Sequence, residues 1–179
     1  MAIFVNENTK VLVQGLTGGQ GRFHGMRNRD YGTQVVAGVT PGKAGQDVEG
    51  IPVFDTVESA VAATGATASF IAVPPKAAPA AILEAARAGI GFVVCITEGV
   101  PAQDEARVFA TLQRDFPKTR LLGPNCPGII SPGKCNIGIT AGEIAALPTA
   151  KGPNVGIVSR SGTLTYQALY ELKQQSALQ

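Results

Sequence analysis

The sequence predicts an α/β fold in which helices cover both faces of a doubly wound parallel sheet. Short apolar runs alternate along the chain with segments of helical pattern, which is the order of repeated β-α-β units. The runs are nearly continuous in Val and Ile, as in strands that are buried on both faces. A glycine-rich stretch, "QGLTGGQG" (14–21), follows the first run. Glycine loops at this position are typical of Rossmann-like domains, where they approach a phosphate.

The first part of the chain is predicted to contain three strands and two helices. The strands are the apolar runs 11–13, 34–39 and 51–54. A weak helical pattern covers residues 20–30. A second helix is predicted over 56–65, because Thr56 can cap its first turn and Gly65 can end it.

The next part of the chain repeats the same alternation. The apolar runs 68–73, 92–96 and 120–123 are predicted to be strands. The helix between the first two covers 76–89, and it has the early proline and the terminal glycine that helices favour. A further helix is predicted over 102–116, where Pro117 closes it.

The sequence changes character after residue 123. Residues 123–153 are rich in Pro and Gly and have no clear period, which predicts an ordered loop and connector. The stretch "NVGIVSRSG" (154–162) then begins a new strand and glycine turn, and a helix is predicted over 163–175. We therefore expect three parts: a first domain over 1–125, a connector over 126–153, and the start of a second α/β domain over 154–179.

Composition and charge exclude several classes of protein. With 45% hydrophobic and 16% charged residues, the 179-residue chain can bury a core, which argues against disorder. The net charge of +2 is far from that of a nucleic-acid-binding protein. Neither a signal peptide nor a membrane-spanning run is expected. Cys95, Cys126 and Cys135 form no C-x-x-C pair, which favours a reducing cytosol and predicts neither disulfides nor a metal site.

The glycine stretch does not match the fingerprint of nicotinamide dinucleotide sites. In the frame Gly19-x-Gly21-x-x-His24 the third glycine is absent, and no acidic residue ends the second strand to bind a ribose diol. Lys43 follows that strand instead, in "GVTPGK". A lysine there suits an additional phosphate near the ribose, such as the 2′-phosphate of NADP or the 3′-phosphate of coenzyme A (CoA).

We expect the loop to bind the pyrophosphate of such a cofactor. Its backbone N–H groups and the following helix N-terminus both favour an anion. Thr17 and Gln20 can add side-chain hydrogen bonds. The alternative interpretation is a plain strand-to-helix turn that uses glycine only for tightness.

Two further strand ends are predicted to border the same crevice, since ligands of doubly wound folds lie across the carboxyl ends of the strands. Val73 and Pro74 give an apolar wall that suits an adenine or a pantetheine arm. Ile96, Thr97 and Glu98 bring a hydroxyl and a carboxylate to the crevice. For Glu98 the alternative is a charge that a helix N-terminus stabilises.

Six stretches of the chain resemble, in order and spacing, the α subunits of succinyl-CoA synthetases, the ADP- or GDP-forming succinate–CoA ligases. They are "NTKVLVQGLTGGQG", "GVTPGK", "AVAATGATAS", "ITEG", "GPNCPG" and "VGIVSRSGTLTY". The resemblance covers nearly the whole chain. It implies that CoA is the cofactor, that the first domain is Rossmann-like, and that a second, flavodoxin-like domain follows.

The resemblance also implies roles for individual residues. Those expected to contact CoA are Thr17, Gly18, Gly19, Gln20, Lys43, Val73, Pro74, Ile96, Thr97, Glu98, Asn125 and Cys126. Among them Lys43 would meet the 3′-phosphate, and Asn125 and Cys126 would lie near the thiol end. Tyr166 is implied at the substrate end, near a partner subunit. The helix that starts at Ser161-Gly162-Thr163 is implied to direct its N-terminus at a phosphorylated histidine.

The reaction that the resemblance implies has three steps. A nucleoside triphosphate phosphorylates the histidine, the phosphoryl group passes to succinate, and the CoA thiol displaces phosphate. The β subunit, in a heterodimer or heterotetramer, supplies the nucleotide site. In the family the phosphorylated histidine lies in the second domain. His24 is therefore expected to be a helix or cofactor-edge residue, no catalytic residue is assigned, and these 179 residues alone are expected to be inactive.

Three alternatives accompany this hypothesis: a stand-alone CoA-binding module, the α subunit of a related acid–CoA ligase, and an NADP-dependent oxidoreductase. The failed fingerprint disfavours the last. Cys126 lacks a histidine base, so that a structural or CoA-proximal place is favoured over a catalytic one. We expect a cytoplasmic protein that binds small molecules and neither nucleic acid nor membrane. The choice between ADP and GDP stays open.

Overall fold

The main body of the protein is a seven-stranded sheet. The computed structural model describes residues 3–145, 157 and 161–176. The strands of this sheet are β1 Lys10–Gln14, β2 Gln34–Val39, β3 Asp47–Val48, β4 Ile51–Phe54, β5 Ala68–Ile71, β6 Phe92–Cys95 and β7 Arg120–Leu122. Their spatial order is β3-β4-β2-β1-β5-β6-β7, and every pair is parallel except β3 with β4. The predicted doubly wound α/β fold is confirmed.

Four helices alternate with the strands of the sheet: α1 Gly19–Asp30, α2 Val57–Thr64, α3 Ala78–Arg87 and α4 Ala102–Asp115. A fifth helix, α5 Gly162–Ser176, follows later in the chain. The predicted caps of α2 are present. The Thr56 hydroxyl accepts a hydrogen bond from the Ser59 N–H, and Gly65 ends the helix with a φ of 68°.

The core lies on both faces of the sheet. One apolar cluster includes Leu12 and Ile71 together with residues of α2, α3 and α4. The other includes Val13 and Phe70 together with Met26 of α1. Neighbouring residues of one strand thus pack on opposite faces, and these four strand residues are fully buried. This two-sided burial explains why the strands read as continuous apolar runs.

The topology creates a crevice between β1 and β5. The chain leaves β1 for β2 on one side of the sheet and later returns to β5 on the other side, where Val11 pairs with Ala68 and Gln14 with Ile71. The connections that follow the two strands therefore diverge at their carboxyl ends. In doubly wound folds this switch point is where ligands bind.

A β-hairpin occupies part of the region that was predicted to be a loop. Its strands are β8 Gly128–Ser131 and β9 Cys135–Gly138, which pair antiparallel. Gly128 and Gly138 face each other, and a Cβ on Gly138 would lie 2.7 Å from the Gly128 Cα. The prediction of an ordered loop is wrong for these residues, because their glycines allow two strands to pair at close distance.

The hairpin is anchored to the region around α1. The Thr33 hydroxyl donates a hydrogen bond to the Asn136 carbonyl at 2.7 Å and accepts one from the Asn136 N–H at 2.8 Å. The buried Asn28 amide, in the orientation that satisfies it, donates to the Gly138 carbonyl and accepts from its N–H. Cys135 and Ile137 are buried in the same cluster as Met26.

The remaining predictions concern the end of the chain. The helix predicted over 163–175 is confirmed as α5. The strand predicted within 154–162 lies almost entirely outside the described residues. In the described part of the chain, no helix combines the length and apolarity that a membrane crossing requires.

Candidate functional site

The glycine loop joins β1 to α1, and its glycines differ in how much space a Cβ atom would have. Gly15 has a φ of 91°, and a Cβ at this position would lie 2.6 Å from the Ala72 carbonyl oxygen. A Cβ on Gly21 would lie 2.1 Å from the Gly15 carbonyl oxygen. By contrast, a Cβ on Gly18 would come no closer than 3.3 Å to another atom, and one on Gly19 would meet nothing within 4 Å. Packing therefore requires Gly15 and Gly21, whereas a Cβ on Gly18 would make one tight contact with the Gly15 carbonyl oxygen and Gly19 faces open space.

The N-terminus of α1 carries no side-chain cap among the described residues. Gly18 is its N-cap residue, and the first turn contains no acidic residue. The Gly18 N–H donates to the Gly15 carbonyl at 2.9 Å. The N–H groups of Gly19, Gln20 and Gly21 have no acceptor within the helix. The helix therefore presents a positive end that suits an anion.

A groove of about 410 Å³ leads away from this helix end. One wall is the end of β2 at Val39, Thr40 and Pro41, and the opposite wall runs from Ala72 into α3. The predicted residues Thr17, Gly18, Val73 and Pro74 all line it. Small side chains of α3 give that wall a flat surface; they are Ala77, Ala80 and Ala81.

A hydrogen bond between two threonines joins the glycine loop to the end of β2 at the groove. The Thr17 and Thr40 hydroxyls form a hydrogen bond of 3.1 Å between the glycine loop and the end of β2. Gln20 is exposed in the first turn of α1. Thr17 and Gln20 thus lie beside the uncapped helix end, and their hydrogen bonds to a cofactor phosphate stay a prediction.

Lys43 lies in a tight turn just after β2. Its N–H donates to the Thr40 carbonyl at 3.1 Å, and Gly42 has a φ of 73°. One Asp55 carboxylate oxygen accepts hydrogen bonds from the N–H groups of Lys43 and Ala44, both at 2.9 Å. The Lys43 side chain is exposed and forms no ion pair with any described residue. Asp55 was missed by sequence reasoning, because only the fold brings it to this turn.

The segment after β6 braces the groove wall rather than lining the cavity. The buried Thr97 hydroxyl donates to the Val73 carbonyl at 2.8 Å, and the Asn125 N–H donates to the Thr97 carbonyl at 2.9 Å. Ile96 is half-buried and Glu98 is exposed. A CoA contact of this segment stays a prediction.

Residues 6–99 match the model of a known family, the CoA binding domain. This chain belongs to the CoA-binding domain family. The matched residues include the glycine loop, the Lys43 turn and both walls of the groove. The prediction of CoA as the cofactor, rather than NADP, is confirmed at the level of the family.

Relatives of this CoA-binding chain are named as α subunits of ADP-forming succinate–CoA ligase. The protein from Aquifex aeolicus is 56% identical over 172 residues, which is 96% of this chain and 55% of the relative. A second α subunit from Archaeoglobus fulgidus is 55% identical, over 96% of this chain and 58% of the relative. One from Staphylococcus aureus is 53% identical over 98% of this chain and 56% of the relative. The resemblance to this family is thus confirmed, and the chain spans somewhat more than half the length of these relatives.

Solved structures show the same fold. A mutant ATP citrate lyase from Methanosaeta concilii, in complex with (3S)-citryl-CoA, has a TM-score of 0.77 and is 25% identical over 96% of this chain and 30% of its own. ATP citrate lyase from Methanothrix soehngenii, in complex with citrate and coenzyme A, gives the same TM-score, identity and coverage.

In the CoA-binding chain, Cys126 sits at the turn before β8. Its thiol lies 3.4 Å from the Cys95 carbonyl oxygen and 3.5 Å from that of Leu122, to which it can donate. Burial, opposed by the Gly128 N–H, raises the pKa of the Cys126 thiol to about 11. The side chain is therefore a neutral donor near pH 7, which agrees with a structural rather than a nucleophilic role.

Alkylation of Cys126 is expected to be slow at pH 8 and to accelerate with a midpoint near pH 11. At pH 8 a thiol of this pKa is ionised to about one part in a thousand, and only the thiolate reacts. Rates of iodoacetamide modification, read by peptide mass spectrometry from neutral pH to about one unit above the expected midpoint, give the profile. A midpoint near the ordinary value of 9.0 would show that the thiol is not held as described.

The N-terminus of α5 lies beside this turn. A Cβ on Gly162 would come 3.7 Å from Pro127, and the Ser161 hydroxyl accepts from the Leu164 N–H at 3.3 Å. Thr163 is exposed in the first turn. The Tyr166 hydroxyl is buried, and burial, opposed by the Ala141 backbone, raises the pKa of that hydroxyl. The structure therefore brings the predicted phosphate and substrate residues next to Cys126.

His24 lies away from the groove. It lines a separate cavity of about 210 Å³ between α1 and the hairpin, with Arg27, Asn136 and Glu143. Burial, followed by the nearby Arg27 charge, lowers the pKa of His24. Of its two expected positions, the structure supports the plain helix residue and not the cofactor edge.

Proposed function

We propose that this chain binds CoA in the groove beside its glycine loop, as the CoA-binding part of the α subunit of an ADP-forming succinate–CoA ligase. The observation that carries the proposal is the uncapped N-terminus of α1, which begins with two glycines that have no side chain to cover it, Gly18 and Gly19, within the residues matched to the CoA-binding family. A cofactor phosphate would supply the missing cap, because its oxygens accept from the first-turn N–H groups.

Different residues of the groove would contact different parts of CoA. Thr17 and Gln20 add side-chain donors to the backbone N–H groups at the pyrophosphate. Val73 and Pro74 give the apolar wall on which an adenine or the start of the pantetheine arm packs. Lys43, exposed and held by the Asp55 turn, provides a cation for the 3′-phosphate.

The site extends toward the thiol end through the strand ends that follow. Thr97 fixes the position of the Val73 carbonyl and of Asn125, so that the path from β5 to β7 is a continuous wall. The path ends at Cys126, next to the start of α5. We propose that Ser161, Gly162 and Thr163 there hold the phosphoryl group of a phosphohistidine and that Tyr166 contacts the acid substrate.

The whole enzyme would condense succinate with CoA at the expense of ATP through that phosphohistidine, in the cytoplasm, with a β subunit that carries the nucleotide site. Succinate is proposed rather than citrate because the ligase relatives are 53–56% identical, whereas the citrate lyases are 25% identical. This chain would contribute the binding and orientation of CoA. Titration calorimetry of the 179-residue chain with CoA tests the proposal, and absence of binding would refute it.

Lys43→Ala is expected to weaken CoA binding about ten- to hundredfold and to leave dephospho-CoA binding unchanged. A charge-assisted hydrogen bond to the 3′-phosphate contributes about 1.5–3 kcal/mol, and dephospho-CoA lacks that group. Calorimetry with both ligands measures the difference. Lys118→Ala, which removes an exposed lysine before β7 at the opposite edge of the sheet, is the matched control. Equal weakening for both ligands would remove the 3′-phosphate assignment.

A further inference from the structure

Glu84 introduces a negative charge into the groove. Among the residues of the described chain that line this cavity, it is the only charged one. It lies on α3, on the same helix face as Ala77 and Ala81. It comes seven positions after Ala77, which corresponds to a rise of about 10 Å along the helix axis.

The carboxylate of Glu84 is fixed in place by the neighbouring helix. One of its oxygens, Oε1, accepts a hydrogen bond of 2.9 Å from the N–H of Val57, the first residue of α2. No other hydrogen bond or ion pair of this carboxylate joins it to a described residue. The second oxygen, Oε2, is therefore available to a ligand in the groove.

The charge of Glu84 decides which part of CoA can lie against it. A carboxylate repels the pyrophosphate, which would lie at the other end of the groove beside the helix N-terminus. It requires a hydrogen-bond donor instead. The bond to Val57 places Glu84 on the side of β2 and β4, the side where Lys43 would bind the ribose 3′-phosphate. The adenosine half of CoA therefore lies toward Glu84, and the pantetheine arm leads away toward Cys126.

The walls of the groove suit a flat ring. Val39 and Pro41 form one side, and the small side chains of Ala77 and Ala80 form the other. A purine between them has one strong donor group, the 6-amino group of adenine. We propose that Glu84 accepts a hydrogen bond from this amino group and thereby selects adenine as the base; the inference rests on the proposed binding of CoA in this groove.

The test compares CoA with an analogue whose adenine is replaced by unsubstituted purine, which lacks only the amino group. The wild-type chain is expected to bind CoA about ten- to hundredfold more tightly than the analogue, because a charged acceptor would otherwise be left unpaired. In Glu84→Gln the amide oxygen can still accept the hydrogen bond from the Val57 N–H. The amide N–H₂ group of the glutamine then faces the base and cannot accept a hydrogen bond from its amino group. CoA binding is expected to weaken to the level of the analogue, so that the preference disappears.

The controls separate this inference from the function on which it rests. Glu58→Gln removes an exposed acid of α2 outside the groove and should keep the wild-type preference. The wild-type comparison needs no variant, so it decides the question even if Glu84→Gln is unstable. Equal wild-type affinity for CoA and the analogue, or a preference that persists in Glu84→Gln, overturns the role of Glu84 while CoA binding stands. A wild-type chain that binds neither ligand overturns both proposals.

Discussion

Gly18→Val is expected to abolish measurable CoA binding while the chain remains folded. The Cβ would lie 3.3 Å from the Gly15 carbonyl oxygen, a tight contact that a loop shift of a few tenths of an ångström relieves, and the branched side chain would project into the space beside the α1 N-terminus. The backbone at Gly18, with φ −83° and ψ 156°, is extended and accepts a β-branched residue. Phosphate oxygens would then be held away from the first-turn N–H groups, and two such charge-assisted bonds contribute about 3 kcal/mol or more.

Calorimetry measures the loss of CoA affinity, and a urea unfolding curve shows whether the chain remains folded. Gly91→Val is the control for the substitution itself, because a Cβ there meets nothing within 4 Å and its place before β6 is remote from the groove. Gly18→Val should lose CoA binding by more than a hundredfold, and Gly91→Val should keep it. Wild-type affinity in Gly18→Val would show that the cofactor does not approach this loop.

Gly21→Ala is expected to destabilise the fold by about 3 kcal/mol. The added Cβ would lie 2.1 Å from the carbonyl oxygen and 2.6 Å from the carbonyl carbon of Gly15. Both are backbone atoms of the same loop, so that relief requires α1 to move away from β1. Because Gly15 itself is confined by the Ala72 carbonyl, the loop cannot simply shift toward β5.

The comparison variant is Gly19→Ala, two residues earlier. Its Cβ would meet nothing within 4 Å, and alanine in a first helical turn is at least as favourable as glycine. Urea denaturation of the two variants should give a large loss for Gly21→Ala and none for Gly19→Ala. If both were as stable as the wild type, the close approach of α1 to the glycine loop would be wrong.

The sequence predicted those features that local pattern determines. Six of the seven strands of the main sheet were located within two residues at each end, because they are apolar runs, whereas the two-residue β3 was not predicted. The boundaries of α2 followed from Thr56 and Gly65, whose capping chemistry is local. The glycine loop, Val73 and Pro74 could be assigned for the same reason, since each directly follows a recognisable strand.

Features that depend on distant partners escaped prediction. Glu84 acquires its place in the groove from a bond to Val57, 27 residues away, and nothing in the local helix pattern distinguishes it from an exposed glutamate. Asp55 becomes important only because β4 returns beside β2 and brings it to the Lys43 turn. The hairpin was missed because its glycines signal irregular chain until their pairing across two strands is seen.

The anchoring of that hairpin sets the smallest piece of the chain that can fold intact. A polypeptide that ends at residue 125 would lack Gly138, the partner of the Asn28 amide, which is now 1% exposed. It would also lack Asn136, the partner of the Thr33 hydroxyl. It would also uncover the apolar surface on which Ile137 packs. The smallest piece of the chain that folds on its own therefore extends at least to residue 138. A fragment that ends at the last strand of the sheet would be unstable and prone to aggregate.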